Sequence, residues 1–332
     1  MIELTRRRLL SGAALATAAT GLATFAPSPA SSAAPPAGKQ ASGWYRYKVG
    51  TIEVTVVTDG ARAFPLSDTF VRNVPKADVN KGLEAGFMAK DNVWVPYTPV
   101  AVNTGGKLVV IDTGLGQALF EQSKGAVGQF IGNLAAAGID RNQVDAVIIS
   151  HFHGDHINGL LMADNKPTYP NAEVMVPAAE WKYFMDDGEM SKAAGNALVE
   201  GAHKNARRVF DALGRKVTPY EPNKEIAPGI TSLAAYGHTP GHTAHVIASG
   251  NAKVMVQADV SNTPMFVQNP GWHIQFDMDG AAAEATRRKL YDMLAAEKMM
   301  IQGFHYPFPA VGYIEKAGSG YRVVPVPWNP TI

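Results

Sequence analysis

One short stretch of the sequence concentrates side chains that bind metal ions. Between Ser150 and His156 the chain carries three histidines and one aspartate, at positions His151, His153, Asp155 and His156. Imidazole and carboxylate are ligands that zinc and other divalent transition metals accept in proteins. A catalytic zinc ion takes about three protein ligands, so these four candidates are more than one ion needs. The spacing therefore suggests two ions, provided that further ligands come from elsewhere in the chain.

Three further candidate ligands stand where an apolar, strand-like run ends or in the turn that follows one. They are His238, Asp259 and His305. Ligands at the ends of several strands meet at one edge of a sheet, where rigid elements hold them and loops cover them. His242 lies with His238 in the turn GHTPGHT at residues 237–243, and the spacing alone does not decide which of the two histidines is the ligand.

These seven candidates are enough for two ions. The residue types favour three histidines for one ion and a carboxylate with two histidines for the other: His151, His153 and His238, then Asp155, His156 and His305. Asp259 can bridge the two ions through its two oxygens. A hydroxide that bridges such ions forms near neutral pH and attacks an electrophilic carbonyl or phosphoryl centre. We assign catalytic roles to Asp155 and Asp259, and we expect zinc, with manganese, cobalt or iron as alternatives.

Strands must position these side chains. Apolar runs at 107–111 and 253–258 end at Asp112 and Asp259, and the run at 144–150 leads into the histidine cluster. A metal-bound histidine needs a partner for its second ring nitrogen, so we expect Asp112 to be such a partner and not a ligand. Strands and helices are mixed along two comparable halves of the chain, which predicts two sheets packed face to face with helices outside them.

Two local predictions concern the surroundings of these strands. Asp279 is predicted to cap the N-terminus of a helix from Gly280 to Lys298. Residues 65–99 show no clean hydrophobic period and are predicted to form a long loop with a short helix near residues 81–89. Long loops of this kind commonly shape the mouth of an enzyme pocket.

The composition excludes several classes of site and partner. The 332 residues include no cysteine, so disulfides, thiolate metal sites and a cysteine nucleophile are excluded. The formal net charge is +1, which gives no electrostatic reason to expect a nucleic-acid partner. A hydrophobic fraction of 46% is ample for a buried core in one large domain or two ordinary ones.

Residues 1–34 are predicted to be an export signal. Three arginines, Arg6, Arg7 and Arg8, precede a weakly apolar segment rich in alanine, and residues 32–34 offer a cleavage site. The segment resembles twin-arginine signals, which implies a folded, exported protein that is periplasmic or secreted. A membrane anchor is the rival interpretation, but about 17 residues rich in alanine and glycine barely span a bilayer. Without these residues the formal net charge changes from +1 to −1, and residues 35–44 form a flexible lead-in.

The order of the motifs resembles that of the metallo-β-lactamase superfamily. The resemblance covers about residues 45–328 and includes the H-x-H-x-D-H motif at 151–156, the segment from Asp112 to Gly114, the turn at 237–243, Asp259 and His305. Within the superfamily, the sequence is most similar to the methyl parathion hydrolase group. That finer resemblance depends on the exported N-terminus, the GHTPGHT turn, and the C-terminal runs HYPFP at 305–309 and GSGYRVVPV at 318–326.

The resemblance implies an α/β fold, a four-layer αββα sandwich over residues 45–332. It implies two divalent metal ions, with His238 as the ligand in the GHTPGHT turn. His242 then supports the ligands instead of binding metal. The motif is specific for the fold and the metals and poorly specific for the substrate, because one such site performs many hydrolyses.

The same group uses the segments around three aromatic residues to line its substrate pocket, which implies pocket roles for Phe120, Trp181 and Phe184. At helical spacing, core packing is the competing explanation for these residues. Tyr306, directly after His305, is bulkier than the group usually carries there and is a departure expected to affect the pocket.

The implied activity is hydrolysis of a small, apolar lactone or ester. A phosphotriesterase acting on organophosphate triesters is the alternative main activity. A β-lactamase, a glyoxalase II-type thioesterase and an iron-dependent oxygenase on the same fold also compete, although the complete ligand set favours hydrolysis. We expect a small-molecule substrate, no nucleic acid and no stable membrane anchor, and leave a homodimer open.

Overall fold

Sixteen strands make up two large sheets and one separate hairpin in the described part of the chain, which is residues 37, 38 and 40–332 of a computed structural model. The export signal predicted at residues 1–34 lies outside these residues. In chain order the strands are β1 (Trp44–Val49), β2 (Ile52–Val57), β3 (Gly60–Pro65), β4 (Asn92–Tyr97), β5 (Val100–Asn103), β6 (Leu108–Ile111), β7 (Ala146–Ile148), β8 (Glu173–Pro177), β9 (Thr218–Tyr220), β10 (Glu225–Ala227), β11 (Ile230–Ala234), β12 (Thr243–Ser249), β13 (Ala252–Val256), β14 (Met300–Gln302), β15 (Val311–Ala317) and β16 (Gly320–Pro325).

Nine α-helices are found among the described residues, besides two single-turn 3-10 helices. They are α1 (Lys76–Ala85), α2 (Ala118–Gln122), α3 (Phe130–Ala136), α4 (Gly154–Ile157), α5 (Ala178–Met185), α6 (Asp187–Lys192), α7 (Ala197–Ala212), α8 (Pro264–Gln268) and α9 (Gly280–Glu297). The carboxylate of Asp279 accepts a hydrogen bond of 3.0 Å from the backbone nitrogen of Ala282, which confirms the predicted N-cap of α9. Over the described residues, no helix has the length and apolar character needed to cross a bilayer.

Each large sheet has seven strands. The first has the order β1-β2-β5-β6-β7-β8-β9, and the second has the order β10-β11-β12-β13-β14-β15-β16. Strands β6 to β9 run parallel to one another, and β13 pairs in parallel with β14. The other neighbours in both sheets are antiparallel. Residues Ala41–Ile332 form one compact unit.

The alternating side chains of the strands build three layers of core. Val109 and Ile111 of β6 pack between the two sheets with Val254 and Val256 of β13. Val110, which points to the opposite face of β6, packs in the core beneath α3, α5 and α7. The outer face of the second sheet is covered by α9, through apolar residues that include Leu290, Tyr291 and Leu294. The layers therefore follow the predicted order αββα, and the fold class is confirmed.

The strands that lead to the candidate ligands end at matching places in the two sheets. In the first sheet Ile111 pairs with Ile148, and in the second Val256 pairs with Gln302. Because both pairs are parallel, the residues after each strand emerge at a common edge. The backbone turns there through left-handed conformations, with φ of 58° at Asp112 and 49° at Ala258. These turns direct Asp112 and Asp259 away from the strand ends and toward the same region.

The prediction for residues 65–99 was wrong in two respects. Strand β4 pairs with β3 as a hairpin, and helix α1 begins at Lys76, before the predicted short helix. In β4, Val93, Val95 and Tyr97 are buried while Trp94 is exposed, which is the alternation of a half-buried strand. Pro96 obscures that pattern in the sequence, because proline is accepted only at the edges of sheets.

Candidate metal centre

The predicted ligands of each ion lie together. Donor atoms of His151, His153 and His238 lie within 4.8 Å of one another, and so do those of Asp155, His156 and His305. These two trios are the same two sets into which the sequence divides the ligands. A third set, His151, His156 and Asp259, meets the same distance limit and lies across the other two.

In the first trio, ring nitrogens of the three histidines face one another at close range. His153 Nδ1 lies 3.1 Å from His151 Nε2 and 2.9 Å from His238 Nε2. The opposite nitrogens, His151 Nδ1 and His238 Nδ1, are held by a hydroxyl and a carboxylate respectively. Because those outer contacts take the ring N–H groups, the lone pairs of the inner nitrogens converge. Convergent imidazole lone pairs are the arrangement that a divalent cation requires.

The second trio is linked to the first through Asp259. Asp155 Oδ2 lies 3.5 Å from His156 Nε2 and 3.4 Å from His305 Nε2. Asp259 Oδ2 lies 3.3 Å from His238 Nε2 and 3.2 Å from His305 Nε2. The other oxygen of Asp259 lies 3.3 Å from His156 Nε2. One carboxylate therefore touches both trios, as the sequence predicts for a bridging ligand.

Two orphaned atoms show that these residues fit a bound cation. His156 Nε2 and Asp259 Oδ1 are both buried, and neither forms a hydrogen bond. Buried polar atoms without a partner are rare and usually indicate an ion or another bound group. Both atoms point into the space between the trios, so metal ions held there would satisfy them.

Each inner histidine is oriented by a partner on its outer side. His156 Nδ1 lies 2.8 Å from the carboxylate of Asp112, the residue that the sequence assigns to this task. The hydroxyl of Ser150 donates to the same carboxylate at 2.7 Å and contacts His151 Nδ1 at 3.0 Å. His305 Nδ1 donates to the carbonyl oxygen of Pro96 at 2.8 Å. Such outer partners fix the tautomer and the ring orientation of metal-binding histidines.

Asp277 is the outer partner of His238 and was not found by sequence reasoning. Its Oδ1 lies 2.8 Å from His238 Nδ1, and its Oδ2 accepts a hydrogen bond of 3.3 Å from Arg287. Arg287 is 1% exposed and also donates to the backbone carbonyls of Val260 and Pro270. The buried guanidinium of Arg287 thus holds the carboxylate of Asp277, and that carboxylate orients His238.

Both ring nitrogens of His242 are engaged in hydrogen bonds to the backbone. Its Nδ1 donates to the carbonyl oxygen of Ala235 at 2.9 Å, and its Nε2 accepts a hydrogen bond of 3.0 Å from the backbone nitrogen of Asp259. With both nitrogens in use, His242 is left to position Asp259, and His238 is the histidine of this turn that faces the centre.

Glu180 on α5 joins two of the loops that carry ligands. Its side chain is completely buried. Its carboxylate accepts from the backbone nitrogen of Phe152, between His151 and His153, at 3.1 Å. It also accepts from Gly241 in the GHTPGHT turn at 2.7 Å and from the hydroxyl of Thr239. Sequence reasoning missed this residue, because its partners are distant in the chain.

Burial lowers the pKa of some histidines of the site, whereas neighbouring carboxylates raise the pKa of others. Burial and the neighbouring histidines hold the pKa of His151 well below its usual value, and burial and His238 lower the pKa of His153 to about 3. These rings are neutral, as metal ligation requires. Burial also acts to lower the pKa of His156, but the surrounding carboxylates, with Asp155 the strongest, outweigh it and raise that pKa well above normal.

Asp155 of the second trio and the linking Asp259 are strongly acidic because the neighbouring histidines favour their charged forms. Burial acts to raise the pKa of Asp155, but His156 outweighs it and lowers that pKa to about 2. The pKa of Asp259 is held well below its usual value by His305 and His156, against the opposite effect of burial. Without a metal ion, protons on the histidines would balance these charges, so metal binding displaces protons.

A cavity of about 380 Å³ opens above the centre. His153, Asp155, Asp259 and His305 line its base, and most of its wall is apolar, with side chains such as Phe70, Val95, Leu115, Phe276 and Met278. The volume lies at the small end of the range for ligand pockets. A mostly apolar wall over a charged base suits a small substrate with one polar reactive group.

The predicted pocket aromatics do not line this cavity. Phe184 is fully buried against Phe152, and Trp181 packs against Phe152 and Phe210, so both belong to the core under the first sheet. Phe120 is 40% exposed on the short helix α2 and is also absent from the cavity wall. The pocket prediction was therefore wrong, because helical spacing does not distinguish a residue that faces the core from one that faces a cavity.

Tyr306 does not affect the pocket either. It is 1% exposed, and its hydroxyl lies 3.0 Å from both Ser261 Oγ and the hydroxyl of Tyr291 in the core beneath α9. The other histidines whose role the sequence left open, His203, His245 and His273, contact Phe184, Tyr220 and Glu284 respectively, away from the ligand atoms.

A local signal existed for only some of the residues that sequence reasoning missed. Ser150 immediately precedes the histidine cluster, so its hydroxyl could have been considered. Asp277 lies in the irregular segment between α8 and α9, where no hydrophobic period or motif places it beside a histidine.

Comparison with known proteins adds a family match. A model of the metallo-beta-lactamase superfamily matches residues 93–303. No curated protein matches the sequence significantly.

Solved structures with a similar fold cover most of the chain. A structure described as hydrolase AbOPH in the beta lactamase superfamily is 24% identical with a TM-score of 0.79, and the match covers 88% of this chain and 100% of that one. AidC, described as a dizinc quorum-quenching lactonase, is 26% identical with a TM-score of 0.79, covering 87% of this chain and 99% of AidC. A probable metal-dependent hydrolase from Staphylococcus aureus is 21% identical with a TM-score of 0.68, covering 86% and 100%.

Proposed function

Because this chain belongs to the metallo-β-lactamase superfamily of hydrolases, we propose that it holds two divalent metal ions and cleaves small, apolar lactones or esters. The observation that carries the proposal is the pair of ligand trios with Asp259 in contact with both. One site of three histidines and one site of a carboxylate with two histidines, joined by a carboxylate, suit a pair of zinc ions.

The proposed ligands of the first ion are His151, His153 and His238, and those of the second are Asp155, His156 and His305, with Asp259 shared. Two divalent ions held by these residues would supply a hydroxide nucleophile near neutral pH and would draw electron density from the substrate oxygen. Zinc is favoured because AidC, at 26% identity, is described as a dizinc enzyme. Manganese, cobalt and iron accept the same ligand types.

The side chains around the centre hold the reacting groups in place. Asp155 lines the cavity with 20% of its side chain exposed, and its pKa of about 2 keeps it ionised. It can therefore accept a hydrogen bond from the attacking water and orient it. A bond forms from the water oxygen to the carbonyl carbon, the bond from that carbon to the leaving oxygen breaks, and a proton passes to the leaving oxygen. The apolar cavity wall excludes other water molecules.

The substrate class is supported by the cavity and by one relative. About 380 Å³ with mostly apolar walls suits a small, neutral molecule with a short apolar chain. The structure of AidC is described as containing a product, N-hexanoyl-L-homoserine, which is the opened form of a lactone. A neutral organophosphate triester is the second candidate, because it also fits an apolar cavity and develops charge on one oxygen, and because the sequence resembles the methyl parathion hydrolase group.

The test is a comparison of kcat/KM for γ-lactones, aryl esters and aryl phosphotriesters, with nitrocefin and a thioester included, on enzyme of measured metal content. We expect about two ions per chain and turnover of a lactone or ester that chelation abolishes. Asp259→Ala should lose turnover and bound metal, whereas Asp164→Ala, at an exposed carboxylate paired with Lys166, should lose neither.

Each other outcome identifies a different function. If the enzyme prefers the phosphotriester, nitrocefin or the thioester, it is a phosphotriesterase, a β-lactamase or a thioesterase respectively, and not a lactonase. A single iron per chain with oxygen consumption would indicate an oxygenase. Full activity in metal-depleted Asp259→Ala protein would refute the metal mechanism altogether.

A further inference from the structure

Three hydroxyls and one carboxamide form a closed hydrogen-bonded network in the apolar core beneath α9. The hydroxyl of Tyr291 lies 2.7 Å from Gln257 Oε1 and 3.0 Å from the hydroxyl of Tyr306, and it also contacts Ser261 Oγ. Ser261 Oγ in turn lies 3.0 Å from the hydroxyl of Tyr306. None of these four side chains is more than 1% exposed. We call this set of four residues the hydroxyl network.

The hydroxyl network is not needed to fill the core. Phenylalanine and alanine have nearly the shapes of tyrosine and serine, and replacing paired buried polar groups by apolar groups of the same shape costs little stability. A buried polar network in which every member is paired does something that apolar packing does not, because it fixes one arrangement of the segments that it joins. The role of the network therefore follows from those segments.

The hydroxyl network joins the turn that carries Asp259 to the turn that carries His305. Gln257 and Ser261 stand two residues before and two residues after Asp259. Gln257 Nε2 donates to the carbonyl oxygen of Ser261 at 3.2 Å, which closes this turn around the carboxylate. Tyr306 directly follows His305 in the other turn. The contact between Ser261 and Tyr306 therefore links the backbones of two candidate ligands.

The ring of Tyr306 is also held by close packing. A Cβ atom at Gly303 would come within 2.3 Å of this ring, so any side chain at that position would displace it. Gly303 is itself fixed, because its backbone nitrogen donates to the carbonyl oxygen of Ala310 at 2.9 Å. Tyr306 therefore has one position in the core, and its hydroxyl presents a fixed point to the turn of Asp259.

The two linked ligands are close neighbours in the centre. Asp259 Oδ2 lies 3.2 Å from His305 Nε2. A metal site functions only when its ligands are held within about 0.5 Å of the required geometry. The second ion would use both His305 and Asp259, whereas the first ion would use three histidines that the hydroxyl network does not touch. A shift between the two turns should therefore disturb the second ion more than the first.

We propose that the hydroxyl of Tyr306 is a positioning group that fixes His305 relative to Asp259 and thereby sets the affinity of the centre for its second metal ion. This inference rests on the proposed function, in particular on its two metal ions. Tyr306 is absent from the wall of the cavity above the centre, so it acts through the ligands and not on the substrate.

The test compares metal affinity in wild type, Tyr306→Phe and Ser261→Ala by competition with a chromogenic chelator. Each variant removes one hydroxyl and leaves the other members of the network in contact with one another. We expect each variant to bind the second ion about tenfold more weakly, the lower end of the effect of losing a group that supports a ligand. Because the two variants approach the network from different turns, each tests the inference independently.

Tyr321 provides a matched control. Its ring packs against that of Tyr291 with centroids 5.4 Å apart, but its hydroxyl donates to Asp292 Oδ1 at 2.7 Å and contacts no member of the hydroxyl network. Tyr321→Phe thus removes a paired hydroxyl from the same region. It should lower the Tm of the metal-free protein in the same way as Tyr306→Phe, and it should keep wild-type affinity for both ions.

Two single-site proteins identify the ion that is affected. His238→Ala removes a ligand of the first ion and keeps the second trio, whereas His305→Ala keeps only the first trio. Tyr306→Phe should weaken metal binding about tenfold in the His238→Ala protein and should not change it in the His305→Ala protein. A general loss of stability would weaken binding in both.

The contrary outcomes separate this inference from the proposed function. Unchanged affinities in Tyr306→Phe and Ser261→Ala, or equal losses in the two single-site proteins, would overturn the role of Tyr306 while leaving the proposed function intact. The expected losses in a wild type that binds two ions but hydrolyses none of the substrates would support the inference and refute the hydrolysis. A wild type that binds no divalent metal would refute both.

Discussion

Asp277 illustrates how a single residue can orient a candidate metal ligand from its outer side. Its carboxylate takes the Nδ1–H of His238, and Arg287 fixes the carboxylate from the other side. A carboxylate in this position raises the basicity of the imidazole and locks its orientation. The Nε2 of His238 then faces His153 and Asp259 with its lone pair free.

We predict that Asp277→Asn weakens metal affinity about 10- to 100-fold, the usual effect of losing such a partner. The amide cannot accept from His238 and Arg287 as a carboxylate does. Competition with a chromogenic chelator would measure the affinity. Asp292→Asn, at an exposed carboxylate that pairs with Lys316, serves as the control and should keep wild-type affinity. Equal affinities in all three proteins would show that Asp277 does not support the ligand.

At the scale of elements, Glu180 shows how a helix holds two loops in register. From α5 it accepts backbone N–H groups from the segment at His151 and from the GHTPGHT turn. Those loops come from different sheets, since one follows β7 and the other follows β11. The carboxylate therefore ties the ligands of the first trio to each other through the backbone.

The ionisation of Glu180 predicts a pH dependence of stability. Burial raises the pKa of Glu180 to about 7, above its usual 4.5, although three hydrogen bonds act to lower it. Between these values the folded protein binds more protons than the unfolded chain. The stability from this group is complete below pH 4.5 and is lost as the pH rises through 7. The shift corresponds to at most about 3 kcal/mol.

The measurement is urea unfolding of metal-depleted wild type and Glu180→Gln between pH 4.5 and 7.5. Because glutamine does not titrate, the advantage of wild type in unfolding free energy should shrink as the pH rises. A difference that is constant over this range, or that grows with pH, would show that Glu180 is ionised throughout.

Alternate side chains of β4, in the hairpin of β3 and β4, face two different cavities. Val95 and Tyr97 face the cavity above the metal centre, while Trp94 and Pro96 face a second cavity. The carbonyl of Pro96 also holds His305. The segment that the sequence presented as a loop is therefore a wall of the site and a support for one ligand.

At the scale of the whole molecule, the candidate metal centre draws its side chains from both sheets. His151, His153, Asp155 and His156 follow β7 in the first sheet, and Asp259 and His305 follow strands of the second. Each sheet presents the ends of a parallel pair at the shared edge. Ions bound there would connect the two halves of the sandwich, so that metal binding and folding are coupled.

We predict that metal removal lowers the stability of the whole domain. Ions that bind only the folded state stabilise it by about 4 kcal/mol when free metal is 1,000 times the Kd. Calorimetry with and without chelator should show a lower Tm for the stripped protein and recovery when zinc is added back. In Asp259→Ala, chelator should change Tm far less. An unchanged Tm in stripped wild type would show that the ions do not link the sheets.

Two predictions about the whole chain concern its location and assembly. We propose, from the sequence of residues 1–34 alone, export through a twin-arginine type signal, and we therefore predict that replacing Arg6, Arg7 and Arg8 with lysine retains the protein in the cytoplasm. Sedimentation of the purified protein would decide whether the chain forms a homodimer.

The sequence by itself determined the fold class and the two sets of candidate ligands that the structure brings together, with His238 chosen over His242 through the family resemblance. It could do so because those properties are local: ligand types stand at fixed spacing, and each set follows an apolar run that reads as a strand. Asp112 could be predicted as the partner of a histidine of this cluster for the same reason, since it stands at the end of such a run, and its carboxylate lies 2.8 Å from His156 Nδ1.

Only the tertiary structure decided which side chains surround those ligands. Asp277 and Glu180 gain their roles from contacts with residues far away in the chain, and no local pattern encodes such contacts. Phe184 and Trp181 have the residue type of a pocket wall but face the core. Substrate selection depends on which face of each element the packing exposes, and that follows from how the layers and the hairpin pack together.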